Sequence, residues 1–257
     1  MTIAIFSDIH ANLPALEAVF AELDRRKPDM MFCLGDLVGY APWPNEVVSM
    51  IREHRIPTIA GNYDEGVGLN SDDCGCAYKT DEDRARGVES IAFTNSLITD
   101  DNRDYLRDLP RHIRLELGTG DDRTTLLMVH GSPRKINEYL TEDRPDSSFN
   151  RMMETAAADV MIFGHTHKPF TRTIQYERDG EARFRRVINT GSVGKPKDGD
   201  PRACLTLLEL GGRAERVDTD AVDVTFVRVP YDVEKAAAAV EATTLPNEFA
   251  DMLRKAY

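Results

Sequence analysis

Five apolar stretches of this sequence each end in a side chain that can bind a metal ion. Each stretch is short and rich in Ile, Leu, Val, Phe or Met, as expected of a buried β-strand. The side chains that follow the five stretches are Asp8 and His10, then Asp36, Asn62 and His130, and finally His165 and His167. In open α/β sheets, ligands bind just beyond the carboxyl ends of the strands. We therefore expect these seven side chains, which include four of the six histidines, to converge on one place.

The first half of the chain alternates predicted strands with predicted helices. The strands are Ile3–Phe6, Met30–Leu34 and Pro57–Ala60, and the helices between them begin at the caps Asn12 and Asn45. His10 and Asp36 are 26 residues apart, and so are Asp36 and Asn62. This spacing is close to the roughly 30 residues of a strand–helix–strand unit. The pattern therefore indicates an α/β fold with a parallel or mixed sheet covered by helices.

The second half is richer in predicted hairpins, which favours a second sheet facing the first. The strand segments are Ile113–Leu117 with Leu126–Val129, Thr171–Tyr176 with Ala182–Ile188 around Asp179-Gly180, and Cys204–Leu210 with Val222–Val229. Helices are expected around Asp81–Leu97, on the apolar stripe of Phe149, Met152, Met153 and Ala156, and at Asp232–Ala242 and Asn247–Lys255. Because no repeat, low-complexity tract or linker interrupts the sequence, we predict one domain over residues 1–257.

The composition and net charge of the chain disfavour membranes and nucleic acids as binding partners. The chain is 41% hydrophobic and 30% charged, and it has no apolar run near the roughly 20 residues that a membrane-spanning helix needs. Its first residues lack a basic leader, which favours a cytoplasmic protein. The net charge of −12 repels membrane surfaces and nucleic-acid backbones, so duplex nucleic acid is not an expected partner. An anionic substrate would need a source of positive charge other than the amino acids.

The four cysteines indicate a reducing compartment. Cys33 and Cys204 lie in apolar runs and are expected to be buried thiols, whereas Cys74 and Cys76 lie in a polar loop. A structural zinc site needs four ligands in paired clusters, and only one close pair is present. We interpret Cys74 and Cys76 as loop thiols without a metal, with a redox or substrate-loop role as the alternative.

The seven donors suit a pair of metal ions better than a single one. Seven nitrogen and oxygen donors exceed what one tetrahedral zinc can use, but two five- or six-coordinate ions can share them if a carboxylate bridges. Asp36 is the expected bridge. The glycines that precede Asp36, Asn62 and His165 are expected to allow close backbone approach or unusual dihedral angles at each turn. His54 and His112 lack this context and are interpreted as hydrogen-bonded or surface residues.

Two other catalytic motifs fail on inspection. Ser192 is not a nucleophile elbow, since Thr190 stands where that motif needs glycine. Gly194-Lys195-Pro196 is not a phosphate loop, which requires Ser or Thr after the lysine. The metal-ligand pattern is therefore the one that carries the chemistry.

The combined pattern resembles the calcineurin-like metallophosphoesterase superfamily from residue 1 to about residue 205. The matching elements are Asp8-x-His10, Gly35-Asp36, Gly61-Asn62, His130-Gly131 and Gly164-His165-Thr166-His167. The segment from Asn189 to Gly194 is similar to the small phosphodiesterase-like branch of bacteria and archaea. The resemblance implies a four-layer α/β/β/α sandwich, with two mixed sheets flanked by helices and a dinuclear site at one end. It also implies that one metal is held by Asp8, His10, Asp36 and His167, and the other by Asp36, Asn62, His130 and His165.

The resemblance also implies a reaction. The ions would be two divalent transition metals, which the donor types limit to Mn, Fe, Zn, Ni or Co. They would lower the pKa of a bridging water, and the resulting hydroxide would hydrolyse a phosphate ester without a covalent enzyme intermediate. The expected partner is a phosphate-ester small molecule or a nucleotide, and a homo-oligomer is compatible with the sequence. The residues assigned to catalysis are Asp36, Asn62, Tyr63 and Asp64.

One position departs from the family pattern. Many members have Gly-Asn-His-Asp or Gly-Asn-His-Glu, with the histidine assisting the leaving group, whereas this chain has Gly61-Asn62-Tyr63-Asp64. A tyrosine, whose reference pKa is about 10, donates a proton less readily than an imidazolium. We therefore expect slow turnover and a preference for phosphodiesters over alkyl phosphomonoesters. Asp64, which would orient the family histidine, loses its evident role.

Three alternatives remain open at this point. A metal-poor protein-contact scaffold on the same fold would have lost ligands, and none of the seven is lost. A DNA nuclease would need a basic track, which the net charge of −12 disfavours. A protein or small-molecule phosphomonoesterase is disfavoured by the missing histidine.

A second substrate anion could be held by Arg134 and Lys135 or by Lys195, Lys197 and Arg202, although a solvated surface is the simpler interpretation of each set.

Overall fold

The computed structural model describes residues 1–76, 80–118, 123–178, 180–210 and 222–257. The strands are β1 (Thr2–Phe6), β2 (Met30–Cys33), β3 (His112–Leu117), β4 (Thr124–Val129), β5 (Val160–Phe163), β6 (Phe170–Arg178), β7 (Glu181–Asn189), β8 (Ala203–Leu210) and β9 (Val222–Val229). The helices are α1 (Leu13–Arg26), α2 (Pro44–Glu53), α3 (Asn62–Gly68), α4 (Asp81–Leu97), α5 (Asp100–Arg107), α6 (Asp146–Thr155), α7 (Val233–Glu241) and α8 (Asn247–Lys255). Asp179 of the predicted β6–β7 turn lies outside the described residues.

The strands form two mixed sheets. The first has the order β2-β1-β8-β9, in which β1 is parallel to β2 and antiparallel to β8. The second has the order β3-β4-β5-β7-β6, in which β4, β5 and β7 are parallel and the two edge strands are antiparallel to their neighbours. The carboxyl ends of β1 and β2 therefore lie side by side, and so do those of β4 and β5.

Alternating side chains divide the interior into layers. In β1, Ile3 and Ile5 point between the two sheets, while Ala4 and Phe6 point to the outer face of the first sheet. This alternation follows from the two-residue repeat of a strand. The outer face of the first sheet is covered by α1–α5, and that of the second by α6. The layers are thus α/β/β/α, and the predicted four-layer sandwich of two mixed sheets is confirmed.

The predicted helices and hairpins of the second half are confirmed with small shifts at their ends. The apolar stripe of Phe149, Met152 and Met153 lies on α6 and packs against the second sheet. The predicted helix Asn247–Lys255 has the same bounds in α8. Two short helices, α3 and α5, were not predicted from the sequence.

Two predictions for the first half are wrong. Pro57–Ala60 is not a strand, because it forms one parallel bridge, from Thr58 to Cys33, before Ala60 turns to hydrogen-bond with Pro110. Asn45 is not the cap of α2. That helix begins at Pro44, whose fixed φ angle suits the first helical position. By contrast, Asn12 caps α1 as predicted, by accepting a hydrogen bond from the Ala15 amide at 3.2 Å.

Among the described residues, no helix is both long and apolar enough to cross a membrane.

Gly61 brings the start of α3 into contact with the turn after β2. A Cβ atom built on Gly61 would lie 2.1 Å from Asp36 Oδ1 and 2.2 Å from the Asp36 backbone nitrogen. Carbon atoms do not approach polar atoms so closely, so only glycine fits between these two turns. Gly35, on the other side of the contact, has a φ angle of +87°, which also favours glycine. The predicted close approach at these glycines is confirmed.

We predict that Gly61→Ala will displace Asp36 and lower the free energy of unfolding by about 1–3 kcal/mol, because the added methyl group overpacks a rigid backbone contact. Gly180→Ala is the matched control. Gly180 has a positive φ, of +77°, whereas that of Gly61 is −88°, and a Cβ at Gly180 meets nothing within 4 Å, so only backbone strain, about 1 kcal/mol, is expected there. Denaturant unfolding measures both. Equal losses in the two variants would contradict the proposed contact.

Candidate metal centre

The structure brings all seven predicted ligands to the carboxyl ends of the parallel strands, where the two sheets meet. Asp8 and His10 follow β1, Asp36 follows β2, and Asn62 is the first residue of α3. His130 follows β4, while His165 and His167 follow β5. All seven side chains are buried. His54 stacks on Phe20 and His112 is exposed in β3, so neither lies with this cluster.

Asp36 lies at the centre of the cluster. Its Oδ2 atom is 3.6 Å from His10 Nε2 and 3.4 Å from His130 Nε2. These two histidines come from different sheets, so one carboxylate oxygen faces donors from both halves of the fold. This is the position that a bridging carboxylate between two cations must occupy.

One group of donors is formed by Asp8, His10 and His167. Their ligand atoms lie within 4.8 Å of one another. Asp8 Oδ1 is 3.8 Å from His10 Nε2 and 3.2 Å from His167 Nε2, and the two Nε2 atoms are 3.1 Å apart. The three side chains therefore surround a single small volume.

The other group is formed by Asp36, His130 and His165, and Asn62 joins it. The first three also offer ligand atoms within 4.8 Å of one another. Asn62 Oδ1 lies 3.1 Å from His130 Nε2. The rings of His130 and His165 are in edge contact, with centroids 5.0 Å apart. The structure thus forms two adjacent donor groups, with Asp36 Oδ2 between them.

Backbone amides fix one oxygen of each carboxylate and leave the other free for a ligand. Asp36 Oδ1 accepts a hydrogen bond from the Tyr63 amide at 2.8 Å, and Asp8 Oδ2 accepts one from the His165 amide at 3.0 Å. The remaining oxygens, Asp36 Oδ2 and Asp8 Oδ1, face the imidazoles. This arrangement orients the carboxylates without using the atoms that a metal would need.

Backbone carbonyls fix the imidazoles in the same way. The Nδ1 atom of His10 lies 3.1 Å from Val38 O, that of His130 lies 2.8 Å from Leu34 O, and that of His167 lies 2.6 Å from Lys195 O. A carbonyl oxygen can only accept a hydrogen bond, so Nδ1 must carry the proton. In each neutral ring the Nε2 lone pair therefore points into the cluster, as metal ligation requires.

The turns that carry the ligands are strained. Five of the seven candidate ligands have positive φ angles, namely Asp8 (56°), His10 (50°), Asp36 (52°), His165 (64°) and His167 (60°). Non-glycine residues rarely adopt this conformation, which costs about 1 kcal/mol or more at each site. The surrounding hydrogen bonds hold these turns in place, and such strain is concentrated at functional sites.

Burial and charge keep most of the imidazoles neutral. Burial lowers the pKa of His10 to about 3 and that of His165 to about 3, and it also lowers the pKa of His167, with help from the nearby Lys197. For His130, the charge of Asp36 outweighs the effect of burial and raises the pKa. The same pairing lowers the pKa of Asp36. Without a cation, His130 is thus the proton-carrying partner of the carboxylates.

Two buried atoms show that the donor set suits a cation. Within the described part of the chain, Asp8 Oδ1 and His165 Nε2 are buried and take part in no hydrogen bond. Buried polar atoms normally have a partner, and a bound ion is one accepted explanation when no partner is found in the protein. The lone pairs of His10 Nε2 and His167 Nε2 also face each other at 3.1 Å, which a shared cation would relieve. Imidazole, carboxylate and amide donors fit divalent transition metals.

Tyr63 and Asp64 are buried next to the candidate ligands. The Tyr63 ring is buried, with its centroid 5.4 Å from that of His10 and 4.8 Å from that of Tyr40. Asp64 accepts hydrogen bonds from the amides of Leu37 at 2.8 Å and Gly61 at 2.9 Å. Burial, with the nearby charge of Asp36, raises the pKa of Asp64 to about 7. Asp64 therefore ties the turn after β2 to the start of α3.

One group that contacts a candidate ligand was not predicted from the sequence. The Asn62 side-chain amide donates to Cys74 O at 3.0 Å and to Cys76 Sγ at 3.2 Å, which directs its oxygen toward His130. The two sulfur atoms are 2.9 Å apart. The sequence places these cysteines 12 and 14 residues after Asn62, and nothing in that spacing marks the contact.

The segment after β7 also supports the cluster. The Ser192 hydroxyl donates to Asp8 O at 2.7 Å, and the Asn189 amide donates to Gly164 O at 2.8 Å. Both side chains therefore hold ligand-bearing turns, one from each sheet. This role agrees with the sequence-based conclusion that Ser192 is not a nucleophile.

Comparison with known proteins agrees with the geometry. An uncharacterized protein of Methanocaldococcus jannaschii is 32% identical over 263 residues, covering 98% of this chain and 96% of that protein. The crystal structure of a metallophosphoesterase from Sphaerobacter thermophilus is 30% identical, with a TM-score of 0.73 over 100% of this chain and 99% of that one. A hypothetical protein from Pyrococcus horikoshii OT3, 22% identical, shares the fold with a TM-score of 0.78 over 100% and 98% of the two chains.

The family model that describes the calcineurin-like phosphoesterase superfamily domain matches residues 1–212. This range contains all seven candidate ligands and extends through both sheets up to β8. Together with the two donor groups at the junction of the sheets, the match shows that this chain belongs to the calcineurin-like phosphoesterase superfamily.

Proposed function

We propose that this protein is a two-metal-dependent phosphoesterase that hydrolyses phosphodiesters in preference to alkyl phosphomonoesters. The observation that carries the proposal is the place of Asp36 Oδ2, which lies 3.6 Å from a histidine of one donor group and 3.4 Å from a histidine of the other. A single-ion site has no need of a carboxylate oxygen shared in this way. The proposed substrate is a small phosphate ester or a nucleotide.

In the proposed assignment, Asp8, His10, Asp36 and His167 hold one ion, and Asp36, Asn62, His130 and His165 hold the other. The distances within the two donor groups support it. When bound, two divalent ions supply Lewis acidity, which activates water and neutralises charge that develops on the phosphate. The chain supplies the rest: rigid turns that fix the donors, and burial that excludes bulk water.

The proposed metal pair also resolves the charge problem of the sequence. The chain has a net charge of −12, which by itself repels a phosphate ester. Two divalent cations exceed the charge of Asp8 and Asp36, so the pocket becomes locally positive. Substrate attraction would then depend on metal loading.

Tyr63 supports the phosphodiester preference. The position that carries an imidazole in many relatives is filled here by a phenol whose ring packs against Tyr40 and His10. A phenol is a weaker acid than an imidazolium, so an alkoxide leaving group would receive little help in its departure. Esters with good leaving groups need less help, and they are the substrates expected to turn over.

We predict that the purified protein binds about two divalent ions per chain and that Asp36→Asn loses at least one, because the shared oxygen loses its charge. The kcat/KM for bis(p-nitrophenyl) phosphate should fall at least about 100-fold. Asp223→Asn, an exposed position on β9, is the control and should change neither quantity. Metal analysis and initial rates, with and without chelator, measure these effects. Full activity after complete metal removal would refute the proposal, and full metal loading without activity on any ester would favour a non-catalytic scaffold.

A second prediction concerns Cys76. Removing the thiol in Cys76→Ala takes away one acceptor of the Asn62 amide, so metal affinity should fall about 10-fold, as for other partners of metal ligands. Cys76→Ser keeps a hydrogen-bond acceptor at this place and should stay within about 3-fold of the wild type. Competition with a chelating dye measures both affinities. If the two variants behave alike, the hydrogen bond does not orient Asn62.

A third prediction tests the role of position 63. Tyr63→His should raise hydrolysis of alkyl monoesters relative to aryl diesters about 10-fold, because an imidazolium protonates an alkoxide more readily. Tyr63→Phe removes the hydroxyl and should leave the aryl diester rate nearly unchanged. Steady-state rates on matched aryl and alkyl esters give the ratio. A wild type that prefers alkyl monoesters, or an unchanged ratio in Tyr63→His, would count against the diester preference.

A further inference from the structure

Two lysines, Lys195 and Lys197, lie on a segment that contacts the turn of the candidate ligand His167. Lys195 is only 4% exposed, and its Nζ atom lies 4.5 Å above the centre of the Tyr40 ring. Lys197, two residues later, is half-buried. Within the described residues, neither ammonium group forms an ion pair with a carboxylate. Buried cations without a counter-ion are costly, so their presence here needs an explanation.

The backbone holds these lysines against a metal ligand. His167 donates from Nδ1 to Lys195 O at 2.6 Å, and the Lys197 amide donates to His167 O at 3.2 Å. The Lys195 amide also donates to Ser192 Oγ at 2.8 Å. The segment that carries both ammonium groups is therefore fixed to the same turn as the metal centre.

The carboxylates near the two lysines are already engaged. Asp83 influences the pKa of Lys195, but it is paired with Arg86 at 2.8 Å. Asp8 and Asp36 act on Lys197 and are the carboxylates of the metal centre. Burial lowers the pKa of both lysines, and each also faces Cys76. A thiol is largely protonated at neutral pH, so it cannot balance two ammonium groups.

The other cationic side chains suggested by the sequence as anion-binding groups form ion pairs or are exposed to solvent. Arg134 is paired with Glu138, and Arg202 is paired with Asp200 at 2.6 Å. Lys135 is exposed to solvent. Of the two sets weighed from the sequence, the structure therefore singles out Lys195, which is buried, and Lys197, which is half-buried, as lysines beside the site that form no ion pair with a described carboxylate.

We propose that Lys195 and Lys197 bind a second phosphate group of the substrate while the ester phosphate lies at the metal centre. This inference rests on the proposed phosphoesterase function and narrows its substrate class to esters with two phosphate groups, such as nucleotides with more than one phosphate. Two ammonium groups carried two residues apart on one segment, which together offer six N–H donors, match the several oxygens of a phosphate better than the two of a carboxylate.

Non-hydrolysable phosphonates test the proposal by binding alone. The metal-loaded protein is titrated calorimetrically with methylphosphonate and with alkylene bisphosphonates whose two phosphonates are separated by one to four methylene groups. At least one bisphosphonate should bind about 10-fold or more tightly than methylphosphonate, because its second phosphonate forms charge-assisted hydrogen bonds. Metal analysis after each titration verifies that the ligand has not removed the ions.

Methionine variants of the two lysines test whether they bind the second phosphonate group. Lys195→Met and Lys197→Met keep the unbranched chain as far as its fourth heavy atom but remove the ammonium group, and each should lose most of the bisphosphonate advantage. Lys135→Met, at an exposed lysine, should keep it. If Lys195→Met lowers the melting temperature or the metal content, Lys197→Met decides the question, since its side chain is only half-buried.

The outcomes separate this inference from the proposed function. Failure of the wild type to bind methylphosphonate or to hydrolyse bis(p-nitrophenyl) phosphate would refute the proposed function itself. Normal hydrolysis, with no bisphosphonate advantage or with an advantage that survives in Lys195→Met and Lys197→Met, would overturn only the second-phosphate site. Equal affinity for a phosphonocarboxylate of matched length would overturn phosphate as the chemical class.

Discussion

The rest of this structure depends on two buried carboxylates, each of which faces histidine side chains from both sheets. Asp8 and Asp36 lie at the junction of the two sheets, where water cannot solvate them. Buried charges are tolerated only when they are paired or coordinate a metal. Each carboxylate has one oxygen held by a backbone amide, and the other is directed at imidazole nitrogens. The site therefore has two groups of donors of the kind that bind metal ions, with Asp36 Oδ2 facing both.

The positioning comes mainly from the backbone. Main-chain amides hold the carboxylates, main-chain carbonyls hold three of the imidazoles, and strained turns carry five of the seven ligands. Rigid elements on two different sheets supply these groups, so the donor positions are fixed before an ion arrives. Pre-organisation of this kind lowers the cost of binding, because little conformational freedom is lost on metal loading.

Positive charge is concentrated near the candidate metal centre, although the chain as a whole is negatively charged. An acidic protein with a net charge of −12 carries two lysines on the segment whose backbone contacts His167, a candidate metal ligand. Low-dielectric surroundings strengthen such local interactions relative to distant surface charges, which salt screens. The field that a phosphate meets at this site is thus set by a few buried groups and not by the composition.

The sequence by itself determined the α/β class with a second sheet, the seven donors and the glycines beside them, because each leaves a local pattern of apolar runs, donor residues and turn residues. The four-layer sandwich followed from the family resemblance. Two local predictions were wrong. The helix predicted to be capped by Asn45 begins at Pro44, and the strand predicted at Pro57–Ala60 is reduced to a single bridge. Only the tertiary structure placed Cys76 against Asn62, Asp64 between two backbone amides, and Lys195 in a buried position over Tyr40. These contacts join segments that are brought together by packing between elements, and such packing has no local signature in the chain.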